Sequence, residues 1–237
     1  RAPLPAPFAW TTLPAAAEAA RGASLRGVRA VSARVAWASG SGGTVLRTTD
    51  GGATWRRLAV PGADALDFRS VWAFDSLTAV VASAGDAAEG QARIFRTADG
   101  GRTWTRAHRD STTGIFYDAV AFWDDRHGLV LSDPVDGRFV VLATNDGGRS
   151  WRPTPRDGLP DALPGEAAYA AGNAALAVAG TTQGWFVTGG PRGARVWRTT
   201  TGGARWDAAP LPLEPASASA GAFAVAFASP EVGVVVG

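Results

Sequence analysis

Hydrophobic and polar residues alternate in short runs along the chain. Four of these runs read LRGVRAVS, FRSVWAFD, FYDAVAFW and GAFAVAFA, and they begin at Leu25, Phe68, Phe116 and Gly221. Successive side chains of a β-strand point to opposite faces, so a period of two predicts strands. The chain should therefore be built from short strands and not from amphipathic helices.

Further short apolar segments follow each alternating run. RVAWASG, LTAVVAS, HGLVLSD, GWFVTGG and VGVVVG predict second strands, and TVLRTTD, RIFRTAD, FVVLATND and RVWRTTT predict third strands. A fourth strand should begin at the tryptophan that closes a recurring motif. The four copies of this motif are TTDGGATW from Thr48, TADGGRTW from Thr97, TNDGGRSW from Thr144 and TTTGGARW from Thr199.

The copies recur at a nearly fixed period, since their tryptophans lie 49, 47 and 55 residues apart. A period of this length indicates a repeat architecture, and four antiparallel strands per period form one blade of a β-propeller. We therefore predict an all-β fold, a single propeller domain over residues 1–237. The expected parts are an orphan outer strand at 8–14, blades at about 25–60, 67–109, 115–154 and 168–209, and a partial blade at 220–237.

The number of predicted strands bears on whether the ring is complete. An orphan first strand usually completes the last blade, yet here the last predicted blade is only half present. We expect the chain to be the front part of a six- or seven-bladed ring, with closure at five blades as the alternative.

The recurring motif itself is predicted to be structural. Asp-Gly-Gly favours a tight hairpin turn because glycine tolerates positive φ, and the tryptophan can wedge between neighbouring sheets. One active site would not need three copies of its carboxylate, and Thr201 replaces the aspartate in the fourth copy. The structural set is Asp50, Trp55, Asp99, Trp104, Asp146, Trp151 and Trp206.

These residues resemble the Asp-box, or BNR repeat, of sialidase-type propellers. The longer pattern WASG…VLRTTDGGATW resembles the photosystem II stability/assembly factor-like family, from about Leu25 to Gly237. Some bacterial members of that family are labelled oxidoreductase or glycosyl hydrolase. The resemblance implies that the motif turns lie on one face and that binding uses the opposite face, formed by the loops after strands two and four.

Composition excludes several classes of site. The chain has no Cys, no Met and two His, so disulfides, thiolate metal sites and a His-rich zinc site are ruled out, and we expect no metal. No nucleotide-binding fingerprint occurs, and we expect no cofactor. A net charge of +2 without a clustered basic run argues against nucleic-acid binding, and no apolar run approaches the length of a transmembrane helix.

The start of the chain bears on its location. It lacks Met and opens with RAPLPAPFAW, which favours a mature exported chain whose signal peptide has been removed. A chain boundary of another origin explains the start equally well. Export to the periplasm or the outside is therefore an expectation.

The third blade carries the strongest candidate site on the loop face. Acidic and aromatic groups cluster in FYDAVAF, in SDPVDGR and in the long connection RPTPRDGLPDALPGEAAYAAG, which accounts for the longest period. Such a set could bind a polar ligand, a cation or a basic peptide. The candidates are Tyr117, Asp118, Asp133, Asp136, Arg138, Glu166 and Tyr169, with His108 from the preceding connection.

Arginines form a second candidate set. Arg26 and Arg69 lie in first strands, and the resemblance implies that they contribute to a partner-binding arginine patch. Arg47, Arg96 and Arg198 precede three copies of the motif, where blade-to-blade ion pairs or stacking on tryptophan are expected.

These observations predict a non-catalytic, exported and monomeric propeller that binds a protein or a small polar ligand on its loop face. The alternative is a glycoside hydrolase or lyase that uses Asp118, Asp133, Glu166 and Tyr117, because burial could raise the pKa of one carboxyl. Sialidase chemistry is disfavoured, since Tyr117 and Tyr169 are the only tyrosines and no Arg-Ile-Pro segment occurs near the start.

Overall fold

The structure, a computed structural model, describes residues 12–213, 217 and 219–237. Within this part the strands form four four-stranded antiparallel sheets and one two-stranded sheet, each in chain order. The first sheet contains β1 (Leu25–Ala30), β2 (Ala36–Gly40), β3 (Thr44–Thr48) and β4 (Arg56–Leu58). The second contains β5 (Asp67–Ala73), β6 (Ala79–Ala84), β7 (Arg93–Thr97) and β8 (Thr105–Arg109).

The remaining sheets repeat this order. The third contains β9 (Tyr117–Phe122), β10 (Gly128–Val135), β11 (Arg138–Thr144) and β12 (Arg152–Pro153). The fourth contains β13 (Leu176–Ala179), β14 (Gln183–Thr188), β15 (Arg195–Thr199) and β16 (Asp207–Pro210). The fifth contains β17 (Ala224–Ser229) and β18 (Val232–Val236). The predicted all-β propeller of four blades and a half blade is confirmed.

The predicted orphan strand lies mostly outside the described residues. Its last residue, Pro14, opens a short helix, α1 (Pro14–Ala19), where the proline occupies the first turn. Two short 3-10 turns, Arg156–Gly158 and Asn173–Ala175, lie in the long connection to the fourth blade.

The apolar faces of successive blades pack on one another. One buried cluster joins the first two blades through Trp37, Phe68 and Phe95. A second joins blades two and three, and a third joins blades three and four around Phe139 and Trp197. Burial between sheets is thus what fixes the angular order of the blades.

The recurring motif forms the turn between the third and fourth strands of each complete blade. In the second copy, Gly101 N donates to Thr97 Oγ1 (2.9 Å), while Asp99 accepts from Thr103 N (2.9 Å) and Thr103 Oγ1 (2.6 Å). Gly101 has a φ of +79°, and a Cβ there would lie 2.5 Å from Leu58 Cδ1 of the preceding blade. The motif therefore needs glycine both for the turn and for the contact between blades.

The carboxylates of these turns are stabilised as anions. Hydrogen bonds from Thr54 lower the pKa of Asp50 to about 2, and those from Thr103 do the same for Asp99. At Asp146 the pKa is also about 2, because hydrogen bonds from Ser150, Thr144 and Arg149 outweigh the effect of burial.

The centre of the propeller is partly filled by the chain itself. The turn Asn173–Ala175 contacts β1, β5, β9 and β17. Asn173 Nδ2 donates to Val28 O (3.0 Å) and Val71 O (2.8 Å), and its Oδ1 accepts from Val71 N (3.0 Å). One amide therefore links the first strands of the first two blades to the segment that enters the fourth.

Candidate functional site

Three blades carry a β-bulge at the same place in their first strand. The pairing register shifts between Leu25 and Gly27 in β1, between Phe68 and Ser70 in β5, and opposite Leu131 and Ser132 in β10. The bulged residues are Arg26, Arg69 and Asp118. A bulge re-aims one side chain and is common beside binding sites, so three ionisable side chains start from equivalent positions at the loop end of the channel.

Asp118 is fully buried, and neither of its carboxyl oxygens has a hydrogen-bond partner among the described residues. Burial raises the pKa of Asp118 well above its usual value, and the nearby carboxyl of Asp133 raises it further. Arg69 acts in the opposite direction. The protonated form of Asp118 is therefore strongly favoured at the head of the channel.

Asp133 is the partner that the sequence placed beside Asp118. Burial raises its pKa to about 6, against a hydrogen bond from Ala168 N to its Oδ1 (2.9 Å) that lowers it. A carboxyl with a pKa near 6 exchanges protons close to neutral pH, which is the range a general acid or base requires. Asp118 and Asp133 thus form a pair of carboxyls whose titrations influence each other.

Tyr117 and His108 flank this pair. The Tyr117 hydroxyl and His108 Nε2 are both buried without a hydrogen-bond partner among the described residues. Their ring centroids lie 6.4 Å apart, and His108 Nε2 is 3.8 Å from Asp110 Oδ2. Burial, with the charge of Asp110, raises the pKa of Tyr117, so this tyrosine is neutral and is not a ready nucleophile.

Glu166 belongs to a different environment. Its carboxylate forms an ion pair with Arg195, whose Nε donates to Glu166 Oε1 (2.9 Å), and Thr188 Oγ1 donates to the same oxygen. The Glu166 side chain is 1% exposed in this pair. It therefore serves to hold the long connection against the fourth blade, apart from the Asp118–Asp133 pair.

The segment SDPVDGR differs from the predicted loop. The second strand of the third blade continues through Asp133 to Val135, and Asp136 with Gly137 forms a two-residue hairpin turn with φ values of +49° and +73°. Asp136 is exposed and 3.9 Å from Arg156. Arg138 Nε donates to Asp161 Oδ1 (2.7 Å), so this arginine binds the long connection instead of lining the carboxyl pair.

The two arginines differ in how far they are engaged. Arg69 donates to Asp67 Oδ2 (2.8 Å) and to Ala170 O (3.4 Å), and it lies 5.7 Å from the centre of the Phe116 ring. Its side chain is 30% exposed, whereas Arg26 is exposed at the rim.

Tyr169, the other predicted tyrosine, donates from its hydroxyl to Ala220 O (3.1 Å), and burial with the charge of Asp133 raises its pKa.

Sequence reasoning missed Asn173 and the inward course of the long connection. The only signal was the additional length between the third and fourth motifs, which indicated an insertion but not its direction. Among the residues that the structure describes, no group of three or more His, Cys, Asp or Glu side chains could hold a metal ion. No helix in that part is long and apolar enough to cross a membrane.

Comparison with known proteins defines the fold class. No protein-family model and no curated protein matches the chain. An ancestral GH74 enzyme matches with a TM-score of 0.61 and 15% identity over 94% of this chain, and a GH74 xyloglucanase from Xanthomonas campestris with 0.52 and 20% over 76%. This chain spans 28% of the length of each of these two structures.

A structure described as YCF48 bound to D1 peptide also matches, with a TM-score of 0.45 and 13% identity over 90% of each chain. The two GH74 similarities, at 15% and 20% identity, establish the β-propeller fold and nothing about activity. Function must therefore be argued from the residues of this chain.

Proposed function

We propose that this chain belongs to a non-catalytic, exported propeller that binds a partner through acidic groups of that partner, on the loop face. The observation that carries the proposal is the set of equivalent bulges at Arg26, Arg69 and Asp118. Two of the three present guanidinium groups at or near the surface, and the third is a carboxyl whose charged form is disfavoured.

The state of the acidic groups supports binding over hydrolysis. Asp118 is enclosed, and Glu166 is neutralised by Arg195. A hydrolase of the glycoside type needs two carboxyls that both reach the scissile bond. The exposed guanidinium of Arg26 and the partly exposed one of Arg69 instead suit carboxylates or other anionic groups of a partner.

The proposal is tested by panning phage-displayed random peptides on the chain. We expect selected peptides to be rich in Asp and Glu and to bind the Arg26→Ala/Arg69→Ala double variant about tenfold more weakly. Arg34→Ala is the matched control, because this exposed arginine lies in the turn between β1 and β2, at the opposite end of the blade from Arg26. Equal binding of the selected peptides to the double variant and the wild type would refute the proposal.

The raised pKa of Asp133 favours one alternative, a glycoside hydrolase or lyase on the same face. Incubation with p-nitrophenyl glycosides and with xyloglucan oligosaccharides separates the two functions. Turnover by the wild type that Asp133→Asn abolishes would establish the enzyme, whereas the binding protein is expected to release no product.

A further inference from the structure

A groove of about 590 Å³ lies between the third and fourth blades, on the face of the recurring turns. Ala143, Asp146 and Arg152 of the third blade form one wall, and Thr181, Thr182 and Gly202 of the fourth form the other. Its volume falls within the range of small-molecule sites, about 300–1,000 Å³. It lies at the end of the blades opposite to the candidate site around Asp118.

The first two blade interfaces differ from this groove at one position. At the residue before the motif threonine, Arg47 Nη1 donates to Ser76 O of the second blade (2.7 Å). At the same position Arg96 Nε donates to Gly147 O of the third blade (2.8 Å). In the third blade this position is Ala143, so no guanidinium bridges to the fourth blade from there. The equivalent space at the second interface, about 450 Å³, is lined by Arg96 and is therefore smaller and more strongly charged.

The carbonyls that would receive such an arginine can be identified from the register. Gly100 N donates to Leu77 O, and the equivalent Gly202 N donates to Thr182 O. Thr181 therefore corresponds to Ser76, and Gly202 corresponds to Gly147. Both correspond to carbonyl acceptors in the preceding interfaces, and both line the groove.

The electrostatic partner of the missing arginine is also replaced. Asp146 stabilises the charge of Arg96 across the second interface, but the equivalent residue of the fourth blade is Thr201. The ionisable groups that line the groove are Asp146 and Arg152, which have opposite signs, and His127, which is paired with Asp124 (2.9 Å). The Asp146 carboxylate already accepts four hydrogen bonds, from Thr144, Arg149 and Ser150.

Apart from His127, which is bonded to Asp124, several polar side chains of the groove are uncommitted. Asn145, Arg152, Thr181 and Thr182 have no side-chain hydrogen bond to any described residue. Trp123 adds aromatic surface, and its indole is fixed across the interface because Nε1 donates to Gln183 O (2.6 Å). Amide and hydroxyl groups both donate and accept hydrogen bonds, as vicinal hydroxyls do, and an indole provides the apolar surface that a sugar ring can cover.

We propose that this groove, which Ala143 leaves free of the arginine present at the other interfaces, is a second ligand site that binds a neutral polyhydroxylated ligand of the size of a mono- or disaccharide. Arg152 and Asp146, whose low pKa keeps it charged, have opposite signs and together give the groove no net preference for a cation or an anion. The site is independent of the loop-face function, because it shares no residue with the Asp118 cluster or with Arg26 and Arg69.

The test uses the full chain labelled with ¹⁵N and a panel of cellobiose, xylobiose, N,N′-diacetylchitobiose and maltose. We expect at least one disaccharide to shift the Trp123 indole resonance and the amides of Ala143 and Thr182, with a Kd on the order of 1 mM. Ala143→Arg should weaken that binding by about tenfold or more, because its guanidinium would occupy part of the groove and bind the carbonyls of Thr181 and Gly202. Ala143→Ser, which keeps the groove open, is the matched control.

Folding of Ala143→Arg is checked by its thermal midpoint, which should equal or exceed that of the wild type if the new guanidinium bridges to Thr181 O or Gly202 O. Should that variant not fold, Arg152→Ala with Thr181→Val provides the same comparison by removing hydrogen bonds. The proposal fails if no sugar shifts these resonances at about 10 mM, if Ala143→Arg binds as well as Ala143→Ser, or if agmatine alone occupies the groove. Loss of sugar binding in Ala143→Arg with unchanged peptide binding would separate this site from the loop face.

Discussion

At the scale of single residues, Asp118 is the group least compatible with a purely structural role. It is fully buried and lacks a partner for either oxygen among the described residues. Its folded-state pKa lies above the unfolded value, so the stability linked to its protonation is fully present below about pH 4 and is lost as pH rises through the folded pKa.

Replacement of Asp118 by Asn should therefore change how stability depends on pH. We expect Asp118→Asn to match the wild type near pH 4 and to be more stable above neutral pH, because the amide removes the cost of a buried anion. Urea unfolding between pH 4 and pH 9 measures the difference. Parallel stability curves for the two proteins would contradict the assigned environment of Asp118.

Asp133→Asn is the control for that experiment. In this variant, the change in stability that Asp133 causes between about pH 4 and pH 6 should disappear, since the pKa of Asp133 in the folded wild type is raised to about 6. Removing its charge should also lower the pKa of Asp118, because Asp133 is one of the two causes that raise it. The pH range over which Asp118 reduces stability should then shift to lower pH.

At the scale of elements, the recurring turn is held by its aspartate in three copies and by a threonine in the fourth. Thr201 Oγ1 accepts from Arg205 N (2.8 Å), whereas Asp146 accepts from both the amide and the hydroxyl of Ser150. The fourth copy has thus lost both the carboxylate and the hydroxyl that donates to it, since Arg205 stands where Ser150 is in the third copy. We therefore expect a weaker turn.

Asp146→Ala should therefore destabilise the protein by about 2 kcal/mol, since hydrogen bonds to a charged acceptor are stronger than neutral ones. Thr201→Ala should cost less than about 1 kcal/mol. The folded pKa of Asp146 is depressed to about 2, so its contribution is present above about pH 4 and is lost as pH falls through 2. Equal losses at pH 7 in chemical denaturation would contradict this account of the turn.

The elements were predictable because their signals are local. Alternation placed β1, β5 and β9 within one residue of their observed starts, and Asp-Gly-Gly located the turn before each fourth strand. The extension of β10 through Asp133 was not predictable, because Asp and Pro in SDPV usually end a strand while here a register shift accommodates them.

The site was only partly predictable for a related reason. The grouping of Asp118 with Asp133 followed from the blade register, which the sequence contains. Arg69 was assigned to a separate arginine set, and the structure brings it close enough to influence Asp118. Glu166 was grouped with them by its place in the connection, but its side-chain direction depends on Arg195 and Thr188 of the next blade. The groove beside Ala143 was not predictable, because its walls come from two blades and are defined only once the blades are packed together.

At the scale of the whole molecule, Asn173 links elements that are far apart in sequence. Its side chain bonds to Val28 and Val71, 145 and 102 residues away, from the segment that enters the fourth blade. Interactions of such sequence separation couple blades that otherwise contact only their neighbours. The central turn should therefore make unfolding of the described blades more cooperative.

Asn173→Ala removes three hydrogen bonds and should destabilise the protein by about 2–4 kcal/mol. Asn145→Ala is the matched control, because the Asn145 side chain is exposed and bonds to no described residue. Asn173→Asp should recover only part of the loss, since a carboxylate accepts from Val71 N but cannot donate to the carbonyls of Val28 and Val71. Denaturant unfolding measures all three variants.

Hydrogen exchange then distinguishes local loosening from loss of coupling. If Asn173 couples the blades, amides of β1 and β5 in Asn173→Ala should exchange through openings that leave β9–β11 protected. If it serves only its own turn, protection should fall near Asn173 alone. If Asn173→Ala keeps wild-type protection in all strands and is as stable as Asn145→Ala, the central amide does not hold the blades together.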